Sequence, residues 1–275
     1  MLKAAVIQMV SGADVDANLA QAEELLQRAA RDGARLAALP EFFPVIAEDD
    51  RAKLACREPF GNGRIQNFLS GAAKRHGIWI IGGTIPIDSG DPERVYNSCL
   101  LFDDHGACVA RYDKIHLFDV QLDTTGAEQY RESATLKPGS AVVAATTPFG
   151  SLGLSVCYDL RFPELYRKLL DDDVVMISVP SAFTATTGRV HWETLLRARA
   201  VENLCFVIAP AQGGRHYARR TTWGHSMIVD PWGEILCMVE SGPGVACAEL
   251  DFDKLRDLRK NFPALSHRRL GSARA

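Results

Sequence analysis

Three segments of this 275-residue sequence each set a reactive side chain just past an apolar, strand-like run. AALPEFF carries Glu41, ARYDKIH carries Lys114 and GLSVCYDLRFPEL carries Cys157. The ends of buried strands are where a rigid scaffold holds reactive groups in place. A thiol, a carboxylate and an ammonium suffice together for acyl transfer. The thiol attacks an acyl carbon, and the carboxylate takes its proton and returns it to a leaving amine. The ammonium faces the oxyanion. A buried carboxylate suits this work because desolvation raises its pKa.

Cys157 ends its strand five residues before Phe162-Pro163, where proline fits the first turn of a helix. A strand–turn–helix step leaves a nucleophile at a sharp bend near backbone N–H groups, and the Tyr158 amide is the natural oxyanion donor. Taken singly, each residue has a plainer reading. Cys157 reads as a buried structural thiol, Glu41 as a helix cap or solvated loop residue, and Lys114 as a surface ammonium. Histidine is the usual partner of a reactive thiol; His116, His191 and His225 are available, none of them in a telling motif.

The elements that would position these groups alternate between βα units and hairpins. Residues 4–10 read as a buried strand, followed by a helix capped by Asp14 or Asp16 and stopped at Gly33. A short strand at 35–41, a helix at 62–76 and one continuous strand at 78–85 follow. VYNSCLLFD and ACVARYD form a hairpin turning near Asp104-His105-Gly106. Residues 114–140 have little apolar periodicity and read as a long functional loop. A second hairpin turns at 149–153. Then come a helix at 162–170, a strand at 174–180, a helix at 190–204 and a strand at 205–210. A third hairpin turns at Pro231-Trp232-Gly233, and VACAELD and a helix at 253–260 close the chain. Runs such as VVMISVP fit strands buried on both faces. No linker or low-complexity stretch divides the halves, so a single domain over residues 1–275 is expected.

Composition excludes several classes. A formal net charge of −3 gives no electrostatic footprint for nucleic acid. No apolar stretch approaches the ~18 residues of a membrane span, and MLKAAVIQMV lacks the build of a signal peptide. The expected setting is cytoplasmic. The cysteines, Cys56, Cys99, Cys108, Cys157, Cys205, Cys237 and Cys247, form no C-x-x-C pair and no zinc-finger spacing, so neither disulfides nor metal sites are signalled. Most of them lie in apolar runs as small core residues.

Together AALPEFF, YDKIHLFDV and SVCYDLRFPELYR resemble the nitrilase superfamily of carbon–nitrogen hydrolases, three separated segments in the right order. The likeness continues through SAFTATTGRVHWETLLRARAVEN, GGRH and GHSMIVDPWGEIL, so it covers essentially the whole chain. The resemblance implies an α/β fold of four layers, an α-β-β-α sandwich with mixed sheets, and a homodimer or higher homo-oligomer. It maps a Glu-Lys-Cys triad onto Glu41, Lys114 and Cys157, with no metal or cofactor. It also implies a second glutamate that positions the lysine and the attacking water; Glu132 matches, with Glu128 the nearby competitor.

Within the superfamily, TGRVHWETLLRARAVEN and GRHYARRTTWGHSMIVDPWG look closest to the Nit branch. That branch includes amidases acting on deaminated glutathione and ω-amidases acting on α-ketoglutaramate-type substrates; SAFTATTG with the later GGRH leans toward the former. N-carbamoyl amino acid hydrolases share the triad. The leading substrates are anionic amides and need a carboxylate-binding group. Arg161 is the candidate, since guanidinium grips carboxylates bidentately, and Thr187 could add a hydrogen bond. Arg161 reads equally well as an ion-pair partner of Glu164 or a loop carbonyl. The basic run Arg215, His216, Arg219 and Arg220 would attract an anion or serve as a solvated loop or dimer contact. A binding protein that has lost its activity would not need all three triad residues. A thiol-redox protein would want a resolving cysteine near Cys157.

Overall fold

A computed structural model describes residues 1–122, 129–218 and 220–270. The chain begins with β1 (Leu2–Gln8), α1 (Val15–Arg31), β2 (Leu36–Ala38), α2 (Ala52–Ala55), α3 (Arg64–His76) and β3 (Trp79–Ile81). Then come β4 (Ile85–Asp91), β5 (Arg94–Phe102), β6 (Cys108–Asp113), β7 (Asp119–Gln121), β8 (Gln129–Arg131), β9 (Ala144–Thr147) and β10 (Gly150–Leu154). α4 (Pro163–Leu169), β11 (Met176–Ser178), α5 (Ala185–Asn203) and β12 (Phe206–Ala209) follow. β13 (Gly213–Tyr217), β14 (Arg220–Trp223), β15 (Ser226–Val229), β16 (Ile235–Val239), β17 (Gly244–Leu250) and α6 (Phe252–Asn261) complete the order.

Two sheets form. One runs β17-β1-β2-β3-β5-β4, with β6 also on β5; the other runs β16-β15-β12-β11-β10-β9. Each has a parallel centre, β1-β2-β3 and β10-β11-β12, flanked by antiparallel strands. The pleat explains the layering. In β1, Ala4 and Val6 join Leu152, Leu154 and Met176 between the sheets. Ala5 and Ile7 point the other way, onto Leu19, Ala22 and Leu26 of α1 and Leu69 and Ala72 of α3. The second sheet carries Leu165 and Leu169 of α4 and Trp192 and Leu196 of α5. The order is therefore helix, sheet, sheet, helix, as the sequence implied. Among the described residues no helix is long and apolar enough to cross a membrane.

Several boundaries differ from the sequence reading. The run 78–85 is not one strand; it breaks at Gly82-Gly83. Gly83 has φ +56°, and a Cβ there would lie 2.2 Å from the Pro40 carbonyl oxygen. Only glycine allows this close approach, and beyond it the chain starts β4. The hairpin expected to turn at 149–153 turns earlier, around Pro148-Phe149. Thr147 Oγ1 accepts from Phe149 N at 3.1 Å and donates to Gly150 O at 2.7 Å. α5 begins at Ala185 rather than near 190, because Thr184 caps it by accepting from Thr187 N at 3.2 Å. The loop at 114–140 contains the β7–β8 pair, and the β13–β14 hairpin was not foreseen.

Candidate active site

The loops after β2 and β6 of one sheet meet those after β10 and β11 of the other. Glu41 lies three residues past β2, Cys157 three residues past β10, and Lys114 directly after β6. The contact that keeps Gly83 glycine also fixes the Glu41 turn. Next to it Thr84 Oγ1 accepts from Phe42 N at 2.8 Å, holding Phe42 at φ 54°. From the other sheet, the Ala182 N–H donates to Glu41 Oε2 at 2.9 Å. Gln212 Nε2 donates to the Glu41 carbonyl at 3.1 Å. The carboxylate thus sits on the seam between the sheets.

Lys114 is fully buried and its ammonium is shared between two carboxylates. Nζ lies 2.9 Å from Glu41 Oε1 and 3.1 and 2.8 Å from the two oxygens of Glu132. Glu41 is 1% exposed and Glu132 13%. Glu132 Oε2 also accepts from Phe118 N at 2.8 Å, which anchors it to the loop after β6. Asn97 Nδ2 donates to Glu41 Oε1 at 2.9 Å. Of the two glutamates weighed from sequence, Glu132 stands on Lys114; Glu128 lies outside the described residues.

The electrostatics follow from burial. Desolvation holds Glu41 above the usual carboxylate range; Lys114 opposes this, Glu132 adds to it, and a hydrogen bond with the Cys157 thiol works against it. Burial alone would depress Lys114, but Glu132 and Glu41 outweigh it and hold the ammonium well above its ordinary value. Burial, then the Glu41 charge, push Cys157 well above an ordinary thiol. The resting arrangement is thiol beside carboxylate, with the lysine charged. Such a carboxylate can accept the thiol proton as the thiol attacks.

Cys157 has φ 49°, in the left-handed region that disfavours a residue with a Cβ. The Cys157 N–H donates to Pro180 O at 3.0 Å, and a short 3-10 helix runs from Cys157 to Arg161. Asp159, fully buried, holds this turn. Its Oδ2 accepts from Val156 N at 2.9 Å and from Tyr112 Oη at 2.7 Å. Its Oδ1 accepts from His116 N at 3.1 Å and faces His116 Nδ1 at 2.7 Å. His116 also stacks on Phe162, with ring centres 3.7 Å apart. The histidine weighed as a thiol partner is thus committed to Asp159. His191 faces Arg161 at 3.1 Å, and His225 stacks on Trp223.

A narrow cleft opens over the thiol, lined by Glu41, Glu132, Cys157, Tyr158, Arg161 and Thr187 with Phe118 and Arg220. Arg161 makes no ion pair with Glu164 among the described residues. Its guanidinium lies 5.2 Å from the Phe183 ring centre and 5.7 Å from that of Tyr158. Thr187 sits in the first turn of α5 rather than in a loop, its hydroxyl 3.0 Å from that of Thr184. The basic run divides. His216 Nδ1 faces Ser11 O at 2.7 Å and burial pushes its pKa down to about 4, so it is an uncharged structural ring. Arg215 is exposed, Arg219 lies outside the described residues, and Arg220 reaches the cleft. The sequence reading missed Asn97 and Asp159. Asn97 is a polar residue inside an apolar strand run, and that contrast was the available signal; Asp159 lay in the expected turn with none.

The carbon-nitrogen hydrolase family matches residues 3–260 of the chain. A deaminated glutathione amidase of Synechocystis sp. is 44% identical over 268 residues, spanning 96% of this chain and 97% of its own. The C. elegans NitFhit protein superposes with a TM-score of 0.87 at 36% identity, over 98% of this chain and 65% of that one. A mutant amidase from Nesterenkonia sp. AN1, solved after Michael addition of acrylamide to its active-site cysteine, gives a TM-score of 0.76. It is 25% identical, over 96% of this chain and 98% of that one.

Proposed function

The chain belongs to the carbon-nitrogen hydrolase family, and from that premise we propose that it hydrolyses deaminated glutathione through a thioester on Cys157. The enzyme is an amidase. The main support for the proposal is the single ammonium of Lys114 held between Glu41 and Glu132 beside a buried thiol.

Glu41 removes the Cys157 proton as sulfur attacks the amide carbon, and a C–S bond forms as the carbonyl π pair moves to oxygen. Lys114 and the Tyr158 N–H face that oxyanion. The C–N bond then breaks, and the amine leaves with the proton from Glu41. Water, deprotonated by Glu41 and oriented by Glu132, hydrolyses the thioester and restores the thiol. Arg161 and Thr187 hold the carboxylate of the acyl half.

The whole chain acts as one domain in this reading, in a cytoplasmic homodimer. The exposed Trp232 and Phe262, packed edge to face at 5.8 Å, support a self-association surface. Sedimentation velocity tests the mass. A panel of deaminated glutathione, α-ketoglutaramate and N-carbamoyl amino acids at matched enzyme concentration tests the substrate. The highest kcat/KM is expected for deaminated glutathione, releasing 2-oxoglutarate and cysteinylglycine. A preference for either other amide would overturn the assignment.

A further inference from the structure

The cleft over Cys157 does not end at its rim. Phe118, Glu132 and Arg220 line it and also line a second pocket. That outer pocket is walled by Phe42, Val45 and Ile46 on one side and by Tyr130 and Arg131 on the other. The two pockets adjoin, with Arg220 in the shared wall.

Arg220 is unlike the other cations here. Its guanidinium lies 5.6 Å from the Tyr130 ring centre, and its Nε is buried without a hydrogen-bond partner. Among the described residues it makes no ion pair. A buried donor left unpaired by the protein costs free energy unless water or a ligand supplies the acceptor. The rest of the pocket has the same bias. Lys53 is matched by Asp50 at 3.1 Å, and Glu132 by Lys114. That leaves Arg131 and Arg220 against Asp49. Apolar walls with a cationic junction fit a short uncharged stem ending in a carboxylate.

A scissile amide has two halves, and the cavity has two arms. The inner arm, closed by the buried Ala182, Phe183 and Thr187, suits the acyl half, which must stay while the thioester lasts. The outer arm reaches the exposed Asp49 and Arg131, so an amine can leave through it without passing the thioester. We propose that the outer pocket is the subsite for the leaving amine and that Arg220 binds the terminal carboxylate of a dipeptide-like amine. This rests on the reading that the substrate carries a carboxylate on each half of its amide.

The test compares wild type and Arg220→Gln on 2-oxoglutaryl dipeptide amides ending in a free carboxylate or a carboxamide. Wild type should prefer the carboxylate by about 10- to 100-fold in kcat/KM, mostly through KM, and Arg220→Gln should reduce that preference to about 2-fold or less. An undiminished preference in Arg220→Gln overturns the role of Arg220 and leaves the substrate reading standing. Equal wild-type turnover of both amides overturns the subsite. If wild type cleaves neither and turns over only 2-oxoglutaramate, the substrate reading fails and the subsite with it. Should Arg220→Gln not fold, inhibition of wild-type 2-oxoglutaramate turnover by the free dipeptide decides. Inhibition should weaken at least about 10-fold when its carboxylate is amidated, and equal inhibition overturns the proposal.

Discussion

His116 Nδ1 lies 2.7 Å from Asp159 Oδ1, and this contact joins the loop that presents Lys114 to the turn that presents Cys157. With Tyr112 Oη and Val156 N on the other oxygen, the carboxylate fixes the spacing of two groups on different sheets. Asp159→Asn keeps the shape but turns one acceptor into a donor facing donors. Stability should fall by about 1.5–3 kcal/mol, and kcat by about 10- to 100-fold with a smaller change in KM. Thermal unfolding and steady-state kinetics measure the two effects; unchanged kcat would make Asp159 a purely structural residue.

Cys157→Ala should abolish amide hydrolysis, and Cys157→Ser should leave very little, both folding normally. Mass spectrometry of the quenched wild-type enzyme should place an acyl adduct on Cys157. An adduct on Cys99 or Cys205, both buried thiols pushed up by desolvation, would end the assignment.

If Glu41 is the proton acceptor, Glu41→Gln should slow acylation by about 10²–10⁴ in single-turnover measurements. The amide also sets a donor against Asn97 Nδ2 and Lys114 or against Ala182 N. A modest loss of stability, about 1–3 kcal/mol, should accompany the kinetic loss. Near-normal turnover would place the base elsewhere.

The pH profile follows from the direction of the Glu41 shift. If Glu41 is the base, activity requires it ionised; burial raises its pKa, so the acid limb of kcat/KM should lie above the ordinary carboxylate value of about 4.3. The Glu132 charge contributes to that rise, so Glu132→Gln should move the limb to lower pH while reducing kcat. Lys114 opposes the rise, so Lys114→Met should move it up in whatever activity remains. A limb that ignores both substitutions would mean another group controls it.

Arg161→Lys should lose the bidentate grip on the acyl-half carboxylate. The expected cost is about 1.5–3 kcal/mol, or ~10- to 150-fold in kcat/KM, for substrates carrying that carboxylate. The informative comparison sets both enzymes against acid and neutralised substrates, because stability effects cancel in the ratio. An equal preference in both enzymes would return Arg161 to a structural role against His191.

The layers and the three strand-end residues were legible in the sequence, since apolar runs mark buried strands and the reactive residues follow them directly. Glu132 was legible only as one of two glutamates. Its choice depends on reaching Lys114 across a hairpin that has no apolar pattern. Asn97 meets Glu41 at a separation of 56 residues, and Asp159 meets Tyr112 at 47. No local period encodes such pairs. The break at Gly82-Gly83 was hidden because both strands beside it are apolar, and only the approach to Pro40 requires the glycine. The β13–β14 hairpin, GGRHY and RTTW, lacks alternation, so the sheet pattern gave it no signal.

The left-handed backbone at Cys157 sets the direction in which this sequence would drift if selection for activity were lifted. A residue with a Cβ held there costs roughly 1–2 kcal/mol, which glycine would recover. A copy freed from catalysis should therefore settle on glycine or asparagine at 157 sooner than on alanine or serine. The thiol thus stands at 157 against the preference of its own backbone.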